Sequence, residues 1–458
     1  MKKIYSFLLM AAVAVGAMAD EFVTDGAGNV YTFNGLSQIE NSGVTLAEDG
    51  SYIVTADFTI AAGDTLRLMN NDVIKMTENA CISIDGFADF TPADTALITR
   101  YNEEQPKGFR IFADDACAVL KNVRFEYVGI NFGCANGNLQ ADNCTFTLHN
   151  GKSSSTGAIA FSVSSDGNII ENCYFLENQY NAIGCGALNP VGVIIRNNYF
   201  WHNTTDNRNK PQLNLTCAGD YDMYVTGNTI IGGQYTMVGG IGVSNMMGMA
   251  FTGTLYIEDN YVTENRYGFG MTGPMNAVIK NNKFIDNCYE TNPNNGGSCI
   301  SLYDASGRGN VYIEGNLLEG GLWGITVIGN PTVNAGKVED PAAEDYNPGN
   351  NVFVNNGNSG VLYDFYNNGT STIYAQGNTW NVTEQTAELI ETVIVHKADF
   401  DNLGEVIYMP AHQEDTNITE VATDNQTDGL YYNMMGMPCQ APTAPGIYIH
   451  NGKKVLVK

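Results

Sequence analysis

Basic residues are what this chain has least of. It carries 22 Lys and Arg against 49 Asp and Glu, a formal charge of −27 over 458 residues. A field of that sign repels phosphate backbones and anionic membrane surfaces, which argues against a nucleic-acid partner. It also handicaps binding of a polyanionic sugar unless Ca²⁺ or a local basic patch intervenes. The five histidines (His149, His202, His396, His412 and His450) are scattered, and neither G-x-S-x-G nor H-E-x-x-H occurs. Serine-nucleophile and zincin chemistry therefore find no motif. Ten cysteines are present without a C-x-x-C pair or a metal-type Cys/His spacing. No segment is apolar for long enough to cross a membrane as a helix. Few stretches between residues 60 and 380 look helical, which excludes βαβ units as the main plan.

What is present begins with an export pattern. Lys2 and Lys3 precede a short apolar run from Leu8 to Val15, and Ala17-Met18-Ala19 is an A-x-A cleavage site. The pattern predicts a signal peptide over 1–19 and a secreted or cell-surface protein. Losing the two lysines takes the charge from −27 to −29. An oxidising destination makes disulfides a candidate use of cysteine. Cys288 and Cys299 bracket a Gly/Asn-rich loop that a bridge would staple, and Cys185 and Cys217 are candidates for one column of a repeat. Buried thiols packed as small hydrophobes are the equal alternative.

A short pattern recurs through the middle of the chain: an aliphatic residue, a small or polar residue that is usually Asn, one variable position, then a large apolar residue. Copies are Val123-Arg124-Phe125, Cys144-Thr145-Phe146, Cys173-Tyr174-Phe175, Asn198-Tyr199-Phe200, Asn228-Thr229-Ile230 and Asn260-Tyr261-Val262. Further copies are Asn282-Lys283-Phe284, Asn316-Leu317-Leu318, Asn351-Val352-Phe353 and Asn378-Thr379-Trp380. Their spacing varies from 21 to 35 residues while the pattern stays constant, so fixed strands are joined by loops of variable length. Alternation in and after each copy gives inward apolar and outward polar positions. The reading is an all-β chain coiled as a single right-handed parallel β-helix of ten or more turns, stacked about 4.8 Å apart. Asn at a repeated bend suits left-handed backbone and stacks into an amide ladder. A second Asn column is expected at Asn178, Asn203, Asn265 and Asn287.

This pattern resembles the pectin-lyase-like family of right-handed β-helices. Phe58-Thr59-Ile60, Gly63-Asp64-Thr65-Leu66, Val73-Ile74-Lys75-Met76 and Ile82-Ser83-Ile84-Asp85-Gly86 look like the opening coils of bacterial surface proteins of that fold. The resemblance covers roughly residues 50 to 410 and speaks for fold more than function, since the fold hosts lyases, hydrolases, adhesins and inert scaffolds. It implies a cap over 20–57, the coil over 58–383 and a closing segment over 384–410, with helical character from Thr386 to His396. A polar linker spans 411–428. Over 429–458, Gly446-Ile447-Tyr448-Ile449 and Gly452-Lys453-Lys454-Val455-Leu456-Val457-Lys458 resemble the C-terminal sorting domain of type IX-exported Bacteroidetes proteins. The alternative is a small β-hairpin with a basic edge.

Lyases of the resembled fold use carboxylate-bound Ca²⁺ and an Arg or Lys base, and its hydrolases use clustered Asp residues and a His. Neither motif set can be placed here. The nearest catalytic candidates are Arg196, His202, Asp206, Arg208 and Lys210, a basic run in an acidic chain that could hold a uronate and remove a proton, or simply be a solvated loop. Glu339, Asp340, Glu344 and Asp345 are candidate Ca²⁺ ligands in an acidic loop. Loops at 201–222, 237–254 and 328–350 would wall a groove if they share one face, with Tyr221, Tyr224, Tyr267 and Trp323 as stacking candidates for a glycan. Gly268-Phe269-Gly270-Met271-Thr272-Gly273 matches G-x-G-x-x-G, but a dinucleotide site requires a helix directly after it. The sequence favours an exported monomer that binds polysaccharide or adheres to a surface without catalysis. A polysaccharide lyase or glycoside hydrolase and a structural envelope component are the alternatives.

Overall fold

The computed structural model describes residues 21–412 and, in the tail, 431–433, 438–439, 446–450 and 453–457. The expected signal peptide over 1–19 and residues 413–428 of the expected linker lie outside the described residues. The chain divides into two units, Met1–His412 and Gln413–Lys458.

The first unit is the parallel β-helix that the repeat predicts. Its strands fall into three long sheets of 14, 14 and 13 strands, which the chain visits in the order first, second, third and again first. The first sheet runs from Phe22–Val23 to Ile394–Val395, the second from Val30–Thr32 to Val406–Ile407, and the third from Val44–Leu46 to Val352–Val354. Pairing is parallel throughout these sheets except where Val44–Leu46 meets Tyr52–Val54. Inward positions stack coil upon coil. Phe125, Phe146, Phe175 and Phe200 share one column with rings nearly parallel and centroids 4.8, 5.1 and 4.9 Å apart. That spacing is the rise between strands, so one aromatic per coil forms a continuous stack in the core.

The Asn columns are as expected, with one correction. The bend from second to third sheet takes two residues. The left-handed one is not the ladder residue but the one before it: Asn122, Asn143, Asn172, Asn197, Gly227, Asp259, Asn281, Gly315, Asn350 and Gly377, each with φ between 52° and 68°. The left-handed residue turns the backbone and points its own side chain outward. The next residue then points inward, and a buried amide there reaches the coils on either side. Asn198, Asn228, Asn260, Asn282, Asn316, Asn351 and Asn378 are all at most 2 % exposed. Each of the first six donates its Nδ2 to the Oδ1 of the next at 2.9–3.0 Å, and its main-chain N–H to the same oxygen. In the second column Asn178 donates to Asn203, and Asn265 to Asn287. Gln212, reached from a strand instead of a turn, fills the missing rung by accepting from Asn203 and donating to Asn265.

Both ends are covered. At the start, the short helix Phe33–Ser37 buries Phe33 and Leu36 against the first coils, with Thr32 capping it by accepting from the Gly35 N–H. At the end, the helical stretch is shorter than expected, Ala387–Glu391 with Thr386 as N-cap, because Ile394–Val395 joins the first sheet. The second unit, described by itself, is a four-stranded antiparallel sheet in which Tyr431–Asn433 lies between Pro438–Cys439 and Gly446–His450, and Lys453–Val457 forms the far edge.

The proposed disulfides are not formed. The nine described cysteines other than Cys439, which lies in a tail strand, are free. Cys185 lies beside Phe161, and the pairing of Ile183 with Leu213 leaves Cys217 two residues out of its column. The Cys185 sulfur instead accepts from the Thr216 N–H at 2.9 Å. Cys299 is fully buried, and burial pushes its thiol well above its usual range. Cys144 and Cys173 do share a column. They stand in the ladder where later coils carry Asn, and the Cys173 sulfur accepts from the Cys144 N–H.

Candidate functional site

In the middle coils the strands of the first sheet lengthen. Lys210–Thr216, Val238–Ser244, Ser298–Asp304 and Trp323–Gly329 each have seven residues, where the third-sheet strands of the same coils have three. With Phe269–Thr272 and Phe365–Asn368 between and after them, they make a broad face. Alternation sends Leu213, Leu215, Ile241, Val243, Ile300 and Leu302 inward. The same alternation aligns two outward columns along the coil axis. One is Asn214, Gly242, Gly270, Ser301, Thr326 and Tyr366; the other is Thr216, Ser244, Thr272, Tyr303, Ile328 and Asn368.

A groove of about 610 Å³ lies over these columns. Its floor is low because glycine occupies two successive rungs. Tyr267 lies across that gap: a Cβ at Gly239 would sit 2.1 Å from its ring, and one at Gly270 would sit 3.0 Å away. Glycine weakens a strand, and here it marks close approach of another group. Burial pushes the Tyr267 hydroxyl up to about 12 despite the neighbouring Arg266, so the phenol is a fixed donor at neutral pH. One wall is the loop Pro293–Gly296, held at two points. Trp323 donates its indole N–H to the Pro293 carbonyl at 3.0 Å, and Arg266 donates to the Asn295 carbonyl and to Asn209 Oδ1. At the far end Trp323 packs on Tyr363 and Tyr366, with centroids 4.7 and 5.2 Å apart. Arg266→Ala is expected to free this wall; faster amide hydrogen exchange over 293–296, with the coil strands unchanged, is the measurement.

Of the four aromatic candidates, the structure brings Tyr267 and Trp323 into the groove. Tyr221 stands in the turn from first to second sheet, beside Gly219 and Gly253. Tyr224 is on the second sheet, its ring face covered by Tyr256 at 4.7 Å and 4°. Of the five catalytic candidates, Asp206, Arg208 and Lys210 gather beside Tyr180, outside the groove lining, and Arg196 and His202 have other partners. Arg196 ends a second-sheet strand and pairs with Glu171 at 2.6 Å. His202 occupies a left-handed bend and stacks on Trp201 at 3.9 Å. Asp206 pairs with Arg208 at 3.1 Å, and Arg208 and Lys210 lie 5.6 and 5.5 Å from the Tyr180 ring. In the acidic loop, Asp345 is engaged by Lys337, whose ammonium holds its carboxyl below the usual range, and Asp340 caps the Ala342 N–H. Glu339 and Glu344 belong to the same loop, and among the described residues no three His, Cys, Asp or Glu side chains converge to hold a metal ion. The G-x-G-x-x-G stretch is a first-sheet strand followed by the strand Asn276–Lys280, with no helix between.

The expected loops at 201–222 and 237–254 contain Lys210–Thr216 and Val238–Ser244, so much of what was read as wall is floor. Pro211 and the run Val238-Gly239-Gly240-Ile241-Gly242 hid these strands, because proline and glycine ordinarily mark turns. The outward columns carry a signal only once the register is known.

Fold and groove together define a parallel β-helix protein with an uncharged, aromatic-edged groove along one sheet. No family model matches the chain, and no curated protein matches it in sequence. Among solved structures it is similar to the periplasmic alginate epimerase AlgG, at 11 % identity and a TM-score of 0.39, with 83 % of each chain covered. A double-substitution variant of that protein gives 11 % and 0.40, over 83 % of this chain and 84 % of that one.

Proposed function

We propose that the groove binds an extended polysaccharide without transforming it. The observation that carries this reading is the make-up of its lining: Trp, Tyr, Asn, Ser, Thr and Gly beside a few Pro, Val, Met and Ile, with no Asp, Glu, His, Lys or Arg among the described residues there. Glycoside hydrolysis uses a pair of carboxyl groups, and proton abstraction needs a base within hydrogen-bond reach. The titratable groups in the lining are the phenols of Tyr267, Tyr303 and Tyr366, and the half-buried Tyr267 is shifted away from a base's range. Aromatic rings beside amides and hydroxyls are what a binding site for a sugar chain requires: a face for the C–H side of a pyranose and partners for its hydroxyls.

Export and a surface location belong to the same proposal. They rest on the leader pattern of residues 1–19 and on the sorting-like tail, and no helix among the described residues is long and apolar enough to span a membrane. Truncation after His412 is expected to stop delivery to the cell surface and leave the coil folded; surface labelling of intact cells reads it.

The test of the binding reading is turnover. Incubated with neutral and uronic polysaccharides, with and without Ca²⁺, the protein is expected to be retained by polymer while releasing neither new reducing ends nor an ultraviolet-absorbing unsaturated product. Sustained release of either would replace this reading with a lyase or hydrolase. Survival of that activity in Arg208→Ala and Lys210→Ala would then remove the basic run from consideration.

A further inference from the structure

We infer that the polysaccharide is uncharged and lies along the coil axis, spanning the six rungs from Asn214 to Tyr366. This rests on the binding reading above and adds the chemical class and direction of the ligand.

Direction follows from register. Asn214, Gly242, Gly270, Ser301, Thr326 and Tyr366 are paired rung to rung without a break. Five steps of about 4.8 Å make a track of roughly 24 Å. Across the track, the Pro293–Gly296 loop closes one side. The unbroken run of rungs therefore offers a chain its length along the axis.

Class follows from charge. A uronic or sulfated polymer brings an anion with almost every sugar, and an anion taken from water requires a cation or several converging donors. Arg266 precedes the lining residue Tyr267, and both its terminal nitrogens are committed, to Asn209 Oδ1 and the Asn295 carbonyl. Arg208 and Lys210 flank the lining residues Asn209 and Pro211, and Arg208 is paired with Asp206 while Lys210 donates to the Ser155 carbonyl. Among the described residues no carboxylate lines the groove to hold a bridging Ca²⁺. Beyond the groove, a net charge of −27 sets a field that opposes approach of any polyanion. What the lining does offer is both halves of a hydrogen bond. Asn214, Asn294 and Asn368 can donate and accept, as can Ser301 and the exposed Tyr303. Hydroxyl groups of a neutral sugar need both.

The experiment is affinity gel electrophoresis of the full chain in polymers matched for backbone and differing in charge. The pairs are mannan with polymannuronate, galactan with polygalacturonate, and hydroxyethyl-cellulose with carboxymethyl-cellulose. At least one neutral polymer is expected to retard the protein and its charged partner is not. Trp323→Ala should weaken that retardation at least about tenfold, as loss of a Trp that carries binding energy does. Ser301→Arg, an outward substitution in mid-track, should weaken it to a similar degree with an unchanged circular-dichroism spectrum. Retardation by a charged polymer that Trp323→Ala abolishes would overturn the neutral class and leave the groove as the site. Retardation by none of the polymers, or retardation unaffected by both substitutions, would overturn the groove as a site and this inference with it.

Discussion

Asn260→Leu is expected to lower stability by about 3–6 kcal/mol, the sum of several buried polar groups left unpaired at about 1–3 kcal/mol each. Asn260 is 1 % exposed. Its Oδ1 accepts the main-chain and side-chain N–H of Asn228, both at 3.0 Å. Its Nδ2 donates to the Val225 carbonyl at 2.7 Å and to Asn282 Oδ1 at 2.9 Å. Leucine has a similar volume and supplies none of these bonds, so two donors on one coil, a carbonyl on the same coil and half an acceptor on the next lose their partner together. In a solenoid each coil is stabilised by its neighbours, so the break falls on both interfaces of one coil. Tyr261→Thr at the next, outward position is the control and should stay within about 0.5 kcal/mol. Urea midpoints of the two variants measure the difference. A loss at Asn260 no larger than at Tyr261 would mean that the ladder contributes nothing to stability.

A second large effect concerns pH, and two buried groups pull in opposite directions. His149 is completely buried, and burial pushes its imidazole down to about 4. Its ring Nε2 lies 2.7 Å from Ser153 Oγ, and its main-chain N–H donates to Asn178 Oδ1, at the rung where later coils carry Asn. A folded value below the unfolded one means that the contribution is complete above about pH 6.5 and is lost as pH falls toward 4. The span is worth about 3 kcal/mol. Asp364 is the mirror case. It is fully buried, accepts the Asn381 N–H at 2.7 Å, and is pushed up to about 7 by burial. Its contribution is complete below the unfolded value near 4 and is lost as pH rises to 7, by a similar ~3–4 kcal/mol. His149→Asn should therefore remove the acid loss, and Asp364→Asn should raise stability most above pH 7. Urea midpoints at pH 4.5, 6 and 8 for the two variants are expected to tilt in opposite senses. Parallel shifts of the whole curve would show that neither group titrates in the fold.

Much of the architecture is legible in the sequence because the physics that builds it is local. The pattern of polar residue, variable residue and large apolar residue follows from a two-residue bend and a three-residue strand, and both lie within a few positions of one another. Which residue of the bend is left-handed was not legible, since Asn suits both places: Asn197 turns the chain and Asn198 builds the ladder. The groove was harder to read. Tyr267 and Trp323 were recognisable as aromatics near long connections, but Asn214, Ser301 and Thr326 become neighbours only through register, and the connections between their strands vary in length. Gly239, Gly242 and Gly270 read as turn residues when taken singly, and their purpose is visible only with Tyr267 lying over them. The cysteine bridges failed for a similar reason: Cys185 and Cys217 look equivalent by spacing, and a two-residue offset separates them.

The amide ladder has one orientation. From Asn198 to Asn351 every Nδ2 donates onward, and from Asn228 to Asn378 every Oδ1 accepts from the coil before. Such aligned dipoles polarise one another in the same sense. A whole turn can therefore be removed or duplicated between two amides and the severed ends will still match, whereas a partial turn brings no amide to the ladder position and leaves a donor and an acceptor without partners. The length of this coil is quantised: descendants of such a chain can lengthen or shorten it only one rung at a time, which sets the increments in which the face of the first sheet can grow.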